Sequence, residues 1–120
     1  MKILFKIGIL FSAIALIASC GTAKKPPTEK ISNAELAISR AQDNNARDFA
    51  AIELRKAEDN LEQAKQAVEE EEYDKASRLA EQAFMDASLA ETKAESEKAS
   101  KAAEEMHESV ETLKQEVERN

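Results

Sequence analysis

Residues 50–94 read AAIELRKAEDNLEQAKQAVEEEEYDKASRLAEQAFMDASLAETKA and contain two regular stripes of apolar residues. Each stripe repeats at alternating spacings of four and three, the pattern of a helix that packs along one seam. The second stripe starts out of phase with the first, so the chain reverses near residues 70–73. The pattern predicts an antiparallel, Ala-rich helical hairpin. Its two stripes are Ala50, Leu54, Ala57, Leu61, Ala64 and Val68, then Ala76, Ala80, Ala83, Ala87, Ala90 and Ala94.

The composition also favours an all-α, coiled-coil-like fold. The 120 residues are 42% hydrophobic and 34% charged but only 4% aromatic, and both glycines and both prolines lie within the first 27 residues. Sandwiches and barrels need frequent glycine and proline in their turns, and residues 28–120 contain neither. Alanine stripes let two helices approach closely, so we expect the stripe residues to form the core.

A short helix, Ser32–Asp43, is expected before the hairpin. Its first residue and Glu35 form a capping box, and Ile31 and Leu36 are placed for the accompanying hydrophobic staple. Asparagines at 44–45 predict its end, because Asn tolerates the left-handed conformation. Three residues that flank the second stripe could receive this helix: Leu79, Phe84 and Leu89.

The two hairpin helices are expected to differ in length. Asp48–Glu71 would be about 36 Å long and Tyr73–Glu118 about 69 Å, so the last two dozen residues overhang the hairpin. Glu97 and Lys98 interrupt the seam, which is expected to resume at Ala99. An uncovered stripe on a charged helix indicates a partner surface, with a frayed or bent-back tail as the alternative. The predicted surface comprises Met106, Val110, Leu113 and Val117.

The first residues are typical of a secretion signal. Lys2 and Lys6 flank a start that continues as the 13-residue apolar run Ile7–Ser19, which is shorter than the ~18–20 residues that span a bilayer. A transmembrane helix is the weaker alternative. The sequence Ile17-Ala18-Ser19-Cys20 resembles the lipobox of bacterial lipoproteins, with a chance cysteine as the alternative.

This resemblance implies cleavage between Ser19 and Cys20, a diacylglyceryl group on the Cys20 sulfur and a further acyl chain, such as palmitate, on the freed amine. Stable attachment to a membrane requires more than one acyl chain, and the modification that the lipobox implies provides more than one. Gly21, where lipoproteins kept at the inner membrane tend to have Asp, implies delivery to the outer membrane, facing the periplasm.

Cleavage would leave 101 residues with 15 basic and 24 acidic side chains, a net charge of −9. Such a chain repels phosphate backbones and anionic headgroups, which argues against nucleic-acid binding. The expected organisation is a signal peptide (1–19), a lipidated tether (20–31), a three-helix or hairpin domain (32–95) and a C-terminal helical extension (96–120).

Two segments resemble domain of unknown function family 4398: FAAIEL at 49–54, with Ala57, Leu61 and Ala64 after it, and YDKASRLAEQA at 73–83. The resemblance covers about residues 32–99. It implies a helical protein that is lipoprotein-borne or envelope-associated in Gram-negative bacteria and is sometimes joined to peptidoglycan-binding domains, and it supplies no activity. Members often have Pro where Ala51 stands and Gly near Glu71, so this chain departs from the family at two helix boundaries.

No catalytic, metal or cofactor site is predicted. His107 follows Glu104 by three residues, as in half of a carboxylate-bridged di-iron site, but the chain has one His, so a solvated side chain is expected. The acidic cluster of residues 69–72 and Asp74 lacks the Gly and the carbonyl spacing of a calcium loop. Nucleophile–base sets and Gly-rich phosphate loops are absent from the sequence, which argues against an enzyme.

The leading hypothesis is therefore a lipid-anchored envelope protein that binds an envelope partner, or a second copy of itself, through the C-terminal stripe. The alternative is a structural spacer associated non-covalently with peptidoglycan.

Overall fold

The computed structural model describes residues 24–119. Within this range the chain is all-α and has no strand, which confirms the predicted fold class. None of its helices has an apolar stretch of the length that a bilayer requires. The four helices are α1 (Thr28–Asp43), α2 (Ala46–Phe49), α3 (Ala51–Glu69) and α4 (Tyr73–Arg119).

Helices α1, α3 and the first half of α4 form a three-helix bundle. Helix α1 runs parallel to α4, because residue numbers rise together along their contacts, and α3 runs antiparallel to α4. Four cross-helix hydrogen bonds fix these directions: Lys30 to Ser77 at 2.7 Å, Asn44 to Glu91 at 3.2 Å, Lys93 to Glu53 at 2.8 Å and Asn60 to Asp86 at 2.9 Å.

The bundle core consists mainly of alanine. Only two larger side chains, Leu54 and Ile38, are buried with it. Leu61 and Val68, predicted for the first stripe, are only partly buried, while Ala67 is buried although it lies outside that stripe. All six alanines of the second stripe are fully buried, as predicted: Ala76, Ala80, Ala83, Ala87, Ala90 and Ala94.

Helix α1 begins one turn earlier than predicted. It starts at Thr28, directly after Pro27, so Ser32 lies inside the helix and the predicted capping box does not form the start. Leu36 is exposed, so it makes no hydrophobic staple. The extra turn places Lys30 against Ser77 and Glu81 of α4, and these contacts between helices outweigh the local capping signal.

The predicted end of α1 is confirmed. Asn45 adopts the left-handed conformation, with φ 64°. Its backbone N–H donates to the Gln42 carbonyl at 3.0 Å, and the Asn44 N–H donates to the Arg40 carbonyl at 3.0 Å. Two of the free carbonyls at the helix end are thereby satisfied.

The helix predicted at Asp48–Glu71 is divided in the structure. The chain breaks at Ala50, where φ is −145° and ψ is 42°, and this break separates the single turn of α2 from α3. Phe49, the last residue of α2, packs against the hydrophobic core and thereby closes one end of the bundle. Ala51 is the first residue of α3, a position that favours proline, so the proline that the resemblance implies there would fit the start of this helix.

The reversal between α3 and α4 falls where the stripes predicted it and forms a Schellman motif. The Glu72 N–H donates to the Ala67 carbonyl at 2.8 Å, and the Glu71 N–H donates to the Val68 carbonyl at 3.0 Å. Glu71 has φ 60°, a conformation that glycine adopts without steric cost. The glycine that the resemblance implies near Glu71 would fit this position.

Helix α4 continues far beyond the bundle. Its 47 residues give a length of about 70 Å, against about 29 Å for the 19 residues of α3. Ala94 is the last buried residue, and every residue from 95 to 119 is exposed. The last two dozen residues therefore form the overhang that the sequence predicts.

Replacing Glu71 with Gly should stabilise the protein by about 1 kcal/mol, because glycine removes the steric cost of the left-handed conformation. Urea unfolding followed by circular dichroism measures the change. Glu71→Ala is the matched control, since it removes the same charge but keeps a Cβ atom. Equal stabilisation by both variants would attribute the gain to charge and contradict the backbone argument.

Replacing Ala90 with Leu should destabilise the bundle by about 1–3 kcal/mol, because Ala90 is fully buried in the core cluster and a larger side chain would overpack it. Ala102→Leu on the overhang is the control and should leave the midpoint of unfolding almost unchanged. Equal effects of the two substitutions would show that Ala90 does not lie in a tight helix contact.

Candidate functional site: the outer face of the long helix

The candidate site is the apolar stripe on the overhang of α4. The helix is unbroken here, so residues spaced by four, three and four share one face. Each side chain is between 57% and 78% exposed, although all four are large and apolar. The structure thus brings together the four residues singled out from the sequence: Met106, Val110, Leu113 and Val117.

The stripe does not continue the bundle core, contrary to the expectation that the seam resumes at Ala99. Ala94 is followed by an unbroken helix, so the step of five residues to Ala99 rotates the apolar face by about 140°. The positions that continue the core seam in phase are polar. They are Glu97, Lys101, Glu104, Glu108, Glu111 and Gln115.

The stripe lies on the side of α4 opposite the bundle core. Its members stand two positions after those in-phase polar residues, a rotation of about 200° around the helix axis. Met85 and Leu89 lie three heptads before Met106 and Val110 on the same helix, and they are 59% and 55% exposed. The apolar face of the overhang therefore reappears along the outside of the bundle.

Leu89 was expected to receive α1 and does not lie in the core. It is exposed, whereas Phe84, at 40% exposure, lies beside α1. Phe84 and Met85 line a shallow depression of about 280 Å³ with Lys30, Asn33, Ala80 and Glu81. Its charged residues, Lys30 and Glu81, already form an ion pair. The signal that could have identified Met85 and Leu89 is their heptad phase with the C-terminal stripe.

The base of the overhang is held by α2. Lys98 Nζ donates to the side-chain oxygen of Asn45 at 3.2 Å. Lys101 Nζ lies 6.0 Å from the centroid of the Phe49 ring, within range of a cation–π interaction. These contacts extend the support of α4 about two turns beyond Ala94. The stripe thus begins just beyond a fixed point of the helix.

Charged groups beside the outer face already have partners within the bundle. The hydrogen bond that Lys93 donates to Glu53 lowers the pKa of the Glu53 carboxyl and raises the pKa of Lys93. Both groups are therefore charged over a wide pH range around neutrality. Lys93 lies at the edge of the outer face. Because its side chain is held by Glu53 of α3, it does not cover the apolar residues beside it, which stay accessible.

The acidic groups do not form a metal site in the described part of the chain. No cluster of three or more His, Cys, Asp or Glu side chains between residues 24 and 119 could hold an ion. Glu104 and His107 lie on the exposed polar side of the overhang. At the turn, Lys75 pairs with Glu72 at 2.5 Å, which raises the lysine pKa, and Lys24 pairs with Asp74 and lowers the carboxyl pKa.

Ser19 and Cys20, the predicted cleavage and lipidation site, lie outside the described residues, as do the signal peptide and Gly21.

Comparison with known proteins gives one family. The domain of unknown function DUF4398 matches residues 29–106, which include α1 from its second residue, α2, α3 and α4 as far as Met106. Val110, Leu113 and Val117 lie beyond the matched range. No curated protein and no solved structure matches the chain. With about two thirds of its length matched, the chain belongs to the DUF4398 family.

Proposed function

We propose that this protein is a lipid-anchored, non-catalytic envelope protein that faces the periplasm from the outer membrane and binds another protein through the stripe on its overhang. The observation that carries the proposal is the exposure of four large apolar side chains on one face of an unbroken helix. Burial of each contributes ~1.5–3 kcal/mol, so a partner helix laid along the stripe would be held by the hydrophobic effect.

The positions of the two ends of the molecule support this function. Lys24 pairs with Asp74, so the chain enters the bundle beside the start of α4. Because α1 runs parallel to α4, the overhang points away from this entry. A lipid on Cys20 would therefore lie at one end of the rod and the stripe near the other, about 60 Å away along α4.

Charge also supports a role in protein binding. After cleavage the chain would carry a net charge of −9, which opposes adsorption of the rod onto anionic headgroups. The lipid would then provide the only strong attachment to the membrane. An upright rod presents the stripe to proteins of the periplasm.

A structural spacer is the second candidate, favoured by the length of α4. A continuous helix of 47 residues can hold two envelope components about 70 Å apart, with non-covalent contact to peptidoglycan at the far end. A spacer depends on length and stiffness, whereas a docking helix depends on the apolar stripe. Substitutions that remove the stripe but preserve the helix distinguish the two.

The anchor is tested by replacing Cys20 with Ser. The variant should take up no labelled fatty acid and remain as an uncut or mislocalised precursor, because the modified sulfur is lost. Gel mobility, metabolic labelling with palmitate and membrane fractionation measure these outcomes. Ser19→Ala, which retains the cysteine, should be labelled normally. Undiminished labelling of the Cys20→Ser variant refutes the anchor.

The stripe is tested by changing Val110 and Leu113 together to Ser. Helicity and thermal stability of the bundle should change little, since both residues lie beyond its last buried layer, while oligomerisation or recovery of a crosslinked partner is lost. The matched control changes Glu108 and Glu111, on the opposite side, to Ser. Sedimentation velocity and mild crosslinking in cells measure the association.

Two results oppose this proposal. The double variant of the stripe could retain the same associations, in which case a spacer becomes the better description. Alternatively the bundle itself could unfold, which would place Val110 and Leu113 in the core rather than at an interface.

A further inference from the structure

We propose that a second copy of this chain covers the outer face of α4, with the two α4 helices parallel and in register from Met85 to Val117. This inference rests on the proposed function and specifies its partner. It differs from that function in extent, because the contact includes the outside of the bundle as well as the overhang. The residues concerned, here named the outer seam, are Met85, Leu89, Thr92, Ser96, Ala99, Ala103, Met106, Val110, Leu113 and Val117.

The outer seam has the geometry of a coiled coil. Its spacings alternate strictly between four and three over residues 85–117, a length of about 48 Å. Three to four heptads mark a coiled coil, and this seam has more than four. Every member is exposed, and the buried alanines of α4 lie on the other side of the helix; α1 reaches the edge of the seam at Met85, which lines a depression with Lys30 and Asn33. A single α4 therefore carries two packing faces, of which the bundle covers one.

The residue types at the C-terminal end of the seam favour two parallel strands. In heptad notation Val110 and Val117 occupy a positions, while Met106 and Leu113 occupy d positions. A β-branched residue at a with Leu at d favours parallel dimers over larger assemblies. The large residues at the two ends of the seam would then pack against their own copies.

The middle of the seam favours the parallel, in-register arrangement. Thr92 and Ser96 are polar, and each would face its own copy across the symmetry axis. A reversed second helix aligned over the same seam would place them against Val110 and Met106. The Thr92 hydroxyl already donates to the Ser88 carbonyl at 3.0 Å, so contact between two such threonines leaves no hydroxyl hydrogen unpaired.

Charge segregation explains how two acidic chains can associate along this face. In a parallel pair, a residue beside the seam in one copy faces the residue five positions later in the other copy. None of these pairs joins two like charges. Most carboxylates of the overhang, such as Glu104, Glu108 and Glu111, lie on the far side of the helix and stay in water. The flanking pairs are Ser88 with Lys93, Glu95 with Ser100, Ala102 with His107 and Ser109 with Lys114.

Single cysteines introduced into the full-length chain in its own membrane test the arrangement. Leu89→Cys and Val110→Cys are both a positions, one on the bundle and one on the overhang, and each alone should give a disulfide-linked homodimer after oxidation. Leu36→Cys and Gln115→Cys are exposed controls away from the seam and should match the parental chain. The parental chain corrects for Cys20. Failure of either seam cysteine to exceed the controls overturns the proposal.

Direction is tested by mixing chains that carry Met85→Cys with chains that carry Val117→Cys. The parallel arrangement predicts that each crosslinks to itself, and mixed dimers would overturn it. Loss of dimer is measured by sedimentation equilibrium of the detergent-solubilised chain. Met85→Ser with Leu89→Ser should weaken the dimer at least about tenfold, since two large apolar contacts are lost. Leu36→Ser with Ile52→Ser should not, and equal affinities for the two double variants contradict the proposal.

The same variants separate this inference from the proposed function. If the partner is a different protein, no seam cysteine gives a homodimer. The adduct crosslinked to that protein nevertheless disappears in the Val110→Ser, Leu113→Ser variant. That result overturns the second copy and leaves the proposed function standing. Absence of both homodimers and adducts overturns the two together.

Discussion

Close contact between helices lined with alanine is the constraint on which the rest of the structure depends. The six core alanines of α4 are fully buried, and only Leu54 and Ile38 add larger side chains to the core. Each alanine buries little apolar surface, so stability is spread over many small contacts along the whole length of the bundle. Apart from Leu54 and Ile38, the buried core positions of the described chain hold nothing larger than alanine. Residues such as Ile52, Met85 and Leu89 consequently lie on the surface.

The hairpin could be predicted from sequence because its signals are local and repeated. The two alanine stripes, the reversal between them and the stop at residues 44–45 each depend on spacing or on the conformational preference of one residue. The start of α1 and the break at Ala50 could not be predicted in this way. Lys30 contacts α4 across 47 positions, and Phe49 closes the bundle from a turn too short to have a periodicity.

The candidate site was predictable in part for the same reason. The exposed residues from Met106 to Val117 follow from the difference in length between two predicted helices. The side of α4 on which they lie was predicted wrongly: in the single helix expected from Tyr73 to Glu118, the step of five residues from Ala94 to Ala99 turns the apolar face away from the core. Met85 and Leu89 were missed because the position of α1 beside α4 is decided by packing. Once that position is known, their phase assigns them to the outer face.

Beyond α2, every residue of α4 from 102 to 119 is exposed, and the bundle does not cover this segment. Helices without tertiary contacts are marginal in water, although this segment continues a helix that the bundle already nucleates. Any fraying of the segment in the free chain is reversed on association, which costs part of the binding free energy. Thr112 illustrates the consequence, because its hydroxyl donates to the Glu108 carbonyl at 2.9 Å. A hydrogen bond from a threonine side chain to the carbonyl four residues earlier slightly weakens a helix. Thr112 lies outside the proposed seam, so no partner touches it. Residues outside an interface can thus set its strength, and affinity can change in evolution while every contact residue stays the same.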